Sequence, residues 1–206
     1  MLHDISVEVR VGTPEWPGDA PFECGWTTRI ADGSSVNLSR IGGSPHVGTH
    51  ADAPLHVHDG WPASDALPVE VFLGDAFVVD VSAAPAGPLS IGMDDARLTG
   101  VERLLLRTGR CIAGGRFPDD WPVLDAATAA RLVAGGLRLF GVDAPSVDAR
   151  RSTELEVHHA LFGGGAFVLE NLDLRGVSEG RYELIALPQR LAGLDAAPVR
   201  AVLRSR

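Results

Sequence analysis

Residues 125–142 read DAATAARLVAGGLRLFGV and carry the signals of one helix followed by one strand. Asp125 is a typical helix N-cap, alanines fill the turns, and the Gly-Gly pair at 135–136 is a helix stop. The apolar run at 137–142 has the length of a strand. These signals predict a helix over 125–133 and a buried strand directly after it.

The same alternation continues on both sides of this unit. Ser152 or Thr153 can cap a second helix, which three glycines at 163–165 would end. Apolar, β-branched runs predict further strands at 76–81, 103–108, 167–169, 182–187 and 198–203. Strands that alternate with helices predict an α/β fold, here one layered domain over residues 1–206 with a mixed β-sheet and flanking helices.

The N-terminal third is less regular. Alternating polar and apolar residues predict a strand at 7–11, and three prolines and two glycines make 12–21 a loop. Two further runs, at 26–30 and 35–39, read as a hairpin with its turn at Asp32-Gly33.

Charge and composition exclude several classes of function. The chain has 206 residues and a formal net charge of −9, which argues against a nucleic-acid partner because such partners require a basic face. Its apolar runs are far shorter than the ~18 residues that cross a bilayer, so no membrane partner is expected. The two cysteines have no metal-binding or disulfide spacing. With no signal peptide visible, the expected location is the cytoplasm.

Four of the seven histidines fall within residues 46–58, which read HVGTHADAPLHVH. Gly48 and Pro54 oppose a helix here, so the stretch is predicted to be extended. Alternate residues of an extended chain share a face. The prediction is a ribbon with His46, His50, Asp52, His56 and His58 on one face and small apolar residues on the other.

Neutral imidazole and carboxylate are the usual ligands of Zn²⁺ and Mn²⁺. His46, His50 and Asp52 supply three such groups within seven residues. A solvated polar edge strand would use other residue types. A structural zinc site closed by four ligands would not need further histidines nearby, so a catalytic site with an open position is the favoured interpretation.

A second cluster supports a metal site. His158 and His159 stand near the end of the second predicted helix, and Glu170 ends the strand that follows. A carboxylate at the end of a buried strand is costly unless it is paired or bound to a metal. Only one histidine of the doublet can point into a given site, and the sequence leaves open which one. The combined ligands exceed what one tetrahedral ion needs, so two metals that share carboxylates are a natural solution.

The motif HxGTHxDxPxH, which runs from His46 to His56, resembles the signature of the cyclase-type metal-dependent hydrolases. Within these the chain is most similar to the bacterial kynurenine formamidases, or arylformamidases. The resemblance extends to a Trp-Pro-Gly-Asp loop at 16–19, to Ser44-Pro45, and to the segments 158–161 and 169–172. It therefore covers nearly the whole chain.

The resemblance implies hydrolysis of N-formyl-L-kynurenine to L-kynurenine and formate in tryptophan degradation. It also implies a cyclase-family fold of the swivelling β/β/α kind, two Zn²⁺ ions per subunit and a homodimer. Carried over by position, the resemblance implies that His46, His50 and Asp52 bind the first zinc. It implies that Asp52, His158 and Glu170 bind the second. His56 would be the catalytic acid/base, and Trp16 would contact the substrate.

The chemistry of these residues agrees with that role. An aryl formamide needs a nucleophile derived from water and a proton for its leaving nitrogen, and a histidine can relay that proton at neutral pH. Trp16 can be a stacking wall for the substrate ring or a cap over the local core. His58 is a bystander or supports the site indirectly.

Two alternatives remain. One is a sister hydrolase acting on another amide or a cyclic imide such as isatin, and the other is a metal-binding protein without turnover. The choice among zinc, manganese and cobalt is also open, since all three accept similar ligands.

Overall fold

The computed structural model describes residues 1–91 and 96–205, and a nine-stranded mixed sheet forms its centre. In chain order the strands are β1 (Leu2–Asp4), β2 (Glu23–Thr28), β3 (Leu38–Gly42), β4 (His50–Asp52), β5 (Leu73–Asp80), β6 (Gly87–Leu89), β7 (Arg103–Arg107), β8 (Pro122–Leu124), β9 (Leu139–Val142), β10 (Phe167–Glu170), β11 (Gly180–Ile185), β12 (Ala196–Pro198) and β13 (Val202–Arg204). The central sheet has the order β1-β13-β11-β5-β7-β9-β10-β4-β12. Two small sheets, β2-β3 and β6-β8, stand apart from it.

Parallel strands occupy the middle of the sheet, and antiparallel strands flank them. Strands β5, β7, β9 and β10 run parallel to one another. Strand β11 on one side and β4 on the other are antiparallel to this block. The predicted α/β fold with a mixed sheet is confirmed.

Two α-helices, α1 (Ala126–Ala134) and α2 (Glu156–Gly163), pack against each other and cover one face of the sheet. The predicted cap of α1 is confirmed: the Asp125 side chain accepts a hydrogen bond of 2.7 Å from the backbone N–H of Thr128. Within the described residues, no helix is long and apolar enough to cross a membrane.

Both faces of the parallel strands are buried. Leu104 and Leu106 of β7 belong to the apolar cluster under the helices, whereas Leu105 belongs to a second cluster on the other face. Residues from distant strands, such as Leu184 and Leu203, fill this second cluster, so the sheet curls around it. This burial explains why the strands read as continuous apolar runs in the sequence.

The predicted strand at 7–11 is wrong. Strand β1 lies earlier and pairs with β13. Downstream, Val7 N–H donates to Thr49 Oγ1 and Arg10 N–H donates to Thr13 Oγ1. Side chains thus satisfy backbone groups that a neighbouring strand would otherwise satisfy.

The hairpin prediction is correct in kind but not in the bounds of its two strands. Strands β2 and β3 pair with each other, yet they cover 23–28 and 38–42 instead of 26–30 and 35–39. A turn of 3₁₀-helix at Ile30–Asp32 occupies part of the predicted first strand, and Gly33 ends it with a φ of +89°.

The start of α2 differs from the prediction. Neither Ser152 nor Thr153 caps it: Leu155 is the N-cap residue, with a φ of +45°. The Asp148 carboxylate instead accepts hydrogen bonds from the first-turn N–H groups of Val157 and His158. This cap comes from seven residues before Leu155, so no local sequence signal marks it.

The single strand predicted at 198–203 is divided in two. Pro198 ends β12 and Val202 begins β13, and the two strands lie at opposite regions of the central sheet. The glycines predicted to end α2 do end it, since Gly164 N–H bonds to Leu161 O.

Candidate metal centre

The histidine-rich stretch is not the extended ribbon that the sequence predicted. Only His50–Asp52 forms a strand, β4, and Pro54–His56 forms a turn of 3₁₀-helix. Gly48 has a φ of +76° and turns the chain before the strand. The side chains therefore converge on one point instead of lining one face.

The first group of candidate ligands comes from this turn and strand. His46 Nδ1, His50 Nε2 and Asp52 Oδ1 form a triangle with all three edges at 3.1 Å. Four ligands placed tetrahedrally 2.0–2.1 Å from an ion stand about 3.3 Å apart, so the triangle has the dimensions of one face of such a site.

Asp52 provides an independent test of whether a cation fits. Its side chain is fully buried, and Oδ1 accepts no hydrogen bond of adequate geometry from the described residues. A buried carboxylate oxygen without a partner costs free energy. An ion between Oδ1 and the two imidazole nitrogens would remove that cost, so these residues fit a metal.

The second group lies on the other side of Asp52. Asp52 Oδ2 is 3.1 Å from His158 Nε2, and that nitrogen is 3.4 Å from Glu170 Oε1. Glu170 Oε2 faces back towards the first group, 3.6 Å from His50 Nε2. Each carboxylate thus offers one oxygen to each group, which is the arrangement by which two ions share ligands.

Sheet register produces this arrangement. Strand β4 pairs antiparallel with β10, with Glu170 opposite His50 and Val168 opposite Asp52. Glu170 Oε1 also accepts a hydrogen bond of 2.8 Å from the Val147 N–H, which fixes the carboxylate. The two clusters are distant in sequence and meet because their strands are neighbours.

The structure separates the two histidines of the doublet. His158 is buried, and its Nε2 faces the carboxylates of the candidate site. His159 is exposed and lies edge-on to the ring of Trp61, 6.1 Å away. The geometry therefore favours His158 as the candidate ligand.

Two further aspartates at the site were missed by the sequence analysis. Asp148 accepts a hydrogen bond of 2.7 Å from His158 Nδ1. Asp195 lies near the C-terminus, and its Oδ2 is 2.9 Å from His46 Nε2 and 3.2 Å from His56 Nδ1. Their distance in sequence from the histidines left no spacing pattern that could identify them.

Crowded carboxylates give the site a strong attraction for positive charge. Burial disfavours the charged form of His46, but the hydrogen bond to Asp195 and the negative charges of Asp195 and Asp52 raise its pKa to about 10. Burial also lowers the pKa of His158, but hydrogen bonds to Asp148 and Asp52 outweigh this effect and raise that pKa well above its usual range. In both cases a proton supplies positive charge that a metal ion would otherwise supply.

A cavity of about 580 Å³ opens beside these groups, a size suited to a small-molecule ligand. His46, His56 and Glu170 line one part of it, and Trp16 and Phe117 line another. The ring of Trp16 is 38% exposed and stands edge-on to Phe117, 5.5 Å away. His56 lies 4.5 Å from His46 between ring centres.

Gly48 supports the site through its backbone. Its carbonyl oxygen is 2.9 Å from His50 Nδ1, which leaves His50 Nε2 facing the ligand triangle. A Cβ at this position would lie 2.4 Å from Val9 Cγ2. The glycine is therefore required by both its φ and its surroundings.

We expect Gly48→Ala to lower the free energy of unfolding more than Gly60→Ala does, as measured by chemical denaturation. Gly60 has a similar φ of +83°, but a Cβ there would meet no atom within 4 Å, so it isolates the conformational cost of about 1–2 kcal/mol. The contact with Val9 should add about 1–3 kcal/mol at Gly48. Equal losses in the two variants would show that the close contact carries no cost.

Comparison with known proteins identifies the family. A sequence model described as putative cyclase matches residues 3–149 of the chain. The chain belongs to the cyclase family. Among curated relatives, the kynurenine formamidase of Salinibacter ruber is 48% identical over 211 residues, which covers 98% of this chain and 97% of the relative.

Solved structures agree with membership of the cyclase family. A potential metal-dependent hydrolase with cyclase activity has a TM-score of 0.81 at 27% identity and covers 100% of this chain and 99% of that one. Isatin hydrolase A from Labrenzia aggregata has the same TM-score at 21% identity, covering 98% of this chain and 93% of its own. This second likeness shows a shared fold alone.

Proposed function

We propose that this protein is an arylformamidase that hydrolyses N-formyl-L-kynurenine to L-kynurenine and formate. The observation that carries the proposal is the pairing of two ligand groups beside an aromatic-lined cavity in a chain whose full-length relative at 48% identity is a kynurenine formamidase. The whole of 1–206 would act as one domain, because β1 and β13, at opposite ends of the chain, pair in the central sheet.

Two Zn²⁺ ions per subunit are the proposed cofactors. His46, His50 and Asp52 would hold one ion, and Asp52, His158 and Glu170 would hold the other. The opposed oxygens of the two carboxylates support this division. Divalent ions in such a pair lower the pKa of a coordinated water and polarise a carbonyl oxygen.

His56 is the proposed acid/base. When the amide C–N bond breaks, the leaving aniline nitrogen must gain a proton. His56 lines the cavity, and its Nδ1 is engaged by Asp195, so Nε2 is the atom that can carry this proton. A group that transfers protons this way typically contributes ~10²- to ~10⁴-fold in rate.

Trp16 is the proposed wall against the aromatic ring of the substrate. Its indole packs at a steep angle against Phe117 and Trp121, which hold the ring in place while part of it stays exposed. A partly exposed aromatic ring that is fixed in this way suits packing against an aniline ring.

The proposed assembly is a homodimer, located in the cytoplasm. The β2-β3 hairpin stands outside the central sheet and exposes several large apolar side chains, namely those of Trp26, Ile30, Val36, Leu38 and Ile41. Such a patch is typical of a protein interface, and a second copy of the chain is the proposed partner. The free thiols of Cys24 and Cys111 suit a reducing compartment.

A comparison of substrates tests the proposed activity. We expect the zinc-loaded protein to hydrolyse N-formyl-L-kynurenine with a kcat/KM at least ~10²-fold above that for isatin, because the cavity should favour the substrate of its relatives. The metal-free protein is the control and should be inactive until zinc is restored. Faster turnover of isatin would instead support the sister-hydrolase alternative, and no turnover of either would support a metal-binding protein.

A further inference from the structure

Asp195 is held in place by the edge of the central sheet. Strand β12 pairs antiparallel with β4, with Ala196 opposite Asp52, so Asp195 lies just beyond the metal-site aspartate. Its own carbonyl oxygen accepts a hydrogen bond of 2.8 Å from the Ala53 N–H. This contact extends the pairing of β12 with β4 by one residue, so the fold fixes the backbone that carries the carboxylate.

One oxygen of this carboxylate contacts two histidines of different roles. Asp195 Oδ2 is 2.9 Å from Nε2 of His46 and 3.2 Å from Nδ1 of His56. An ionised carboxylate only accepts hydrogen bonds. An aspartate carboxylate is ordinarily ionised at neutral pH, and Oδ2 lies within hydrogen-bond distance of both ring nitrogens, so both nitrogens donate to it.

We propose that Asp195 is a positioning residue that selects the tautomers of His46 and His56 together. With its proton on Nε2, His46 presents the lone pair of Nδ1 to the triangle formed with His50 and Asp52. With its proton on Nδ1, His56 keeps Nε2 for proton transfer. The same carboxylate thus prepares a metal ligand and the acid/base.

The other candidate ligands have separate partners. His50 Nδ1 contacts Gly48 O, and His158 Nδ1 contacts Asp148 Oδ2. Each of these contacts orients one imidazole, as is usual around metal sites. Asp195 differs from these partners because its Oδ2 is shared between a candidate ligand, His46, and the proposed acid/base, His56.

Two variants of Asp195 test this inference. Its side chain is 44% exposed, so replacement should leave the chain folded. Asp195→Ala removes the acceptor, and Asp195→Asn keeps an amide oxygen in the same place. Asp65→Ala is the matched control, because Asp65 Oδ1 accepts a hydrogen bond from the Gly193 N–H of the same loop but lies outside the histidine cluster.

The first measurement is the ¹⁵N spectrum of histidine-labelled, zinc-loaded protein, which reports the protonated ring nitrogen. We expect Nε2–H at His46 and Nδ1–H at His56 in the original protein and in Asp65→Ala. In Asp195→Ala, His56 should change to a mixture of tautomers, and Asp195→Asn should restore the original pattern in part.

The second measurement is zinc affinity by chelator competition, together with steady-state kinetics. Asp195→Ala should bind zinc about 10- to 100-fold more weakly, and at saturating zinc its kcat should fall while KM stays within about twofold. Unchanged tautomers and zinc affinity in Asp195→Ala, or equal changes in Asp65→Ala, would overturn the inference.

The kinetic part rests on the proposed function, whereas the spectrum and the affinity do not. Absence of formylkynurenine turnover in the original protein, with the expected tautomers present, would contradict the function alone and support the positioning role.

Discussion

Asp52→Asn should lose both metal ions and nearly all activity. The substitution keeps the shape of the side chain but replaces one of its two carboxylate oxygens with an amide nitrogen, which is not a metal ligand. Because Oδ1 faces His46 and His50 while Oδ2 faces His158, both groups are damaged by one change. Loss of the metals should lower kcat by at least about 10³-fold, or about 4 kcal/mol in the activation barrier.

Metal analysis of the purified variant and a formylkynurenine assay would check this result. Asp143→Asn is the matched control, since Asp143 is equally buried but accepts hydrogen bonds from Thr108 and Gly109. That variant should keep both metals even if its stability falls. An Asp52→Asn protein with a full metal content would show that Asp52 does not join the two groups.

His56→Ala should keep both metals and lose at least ~10²-fold in kcat. The imidazole of His56 lines the cavity and is held by Asp195 rather than by the Asp52 carboxylate. A metal-ligand role is the alternative for His56, because His46, Asp52 and His56 lie close enough to hold an ion. The metal content of His56→Ala therefore distinguishes an acid/base from a ligand.

His58→Ala provides the control for that experiment. His58 is two residues away, exposed, and stacked on Trp61 with a ring-centre distance of 4.7 Å. It should keep both metals and the full rate. Loss of a metal ion from His56→Ala would instead make His56 a ligand, and an unchanged rate would exclude it as the acid/base.

Local patterns were sufficient where one segment decides its own structure. Helix α1 carries its own cap and stop signals, and β7 and β9 are apolar enough to be buried whatever surrounds them. The strand predicted at 7–11 is wrong because backbone N–H groups of this segment donate to the side chains of Thr49 and Thr13 rather than to a neighbouring strand. Short strands such as β12 depend on partners that no local pattern identifies.

The candidate site also combines features that the local sequence predicts with features that depend on distant parts of the chain. The clustering of His46, His50 and Asp52 indicated the ligand types, but the ribbon predicted for them was wrong because Gly48 turns the chain. Asp195 follows His56 by 139 residues and reaches it only through the pairing of β12 with β4. Spacing therefore predicted which side chains of this stretch lie together, whereas the supporting contacts depend on sheet topology.

Anomalous diffraction from zinc-loaded crystals, recorded on both sides of the zinc absorption edge, tests the paired metal centre most directly. We predict two zinc peaks per chain about 3.5–4 Å apart, one beside His46 and His50 and the other beside His158 and Glu170, with Asp52 within reach of both. A single peak, or two peaks of which either lies beyond the reach of Asp52, would contradict the account.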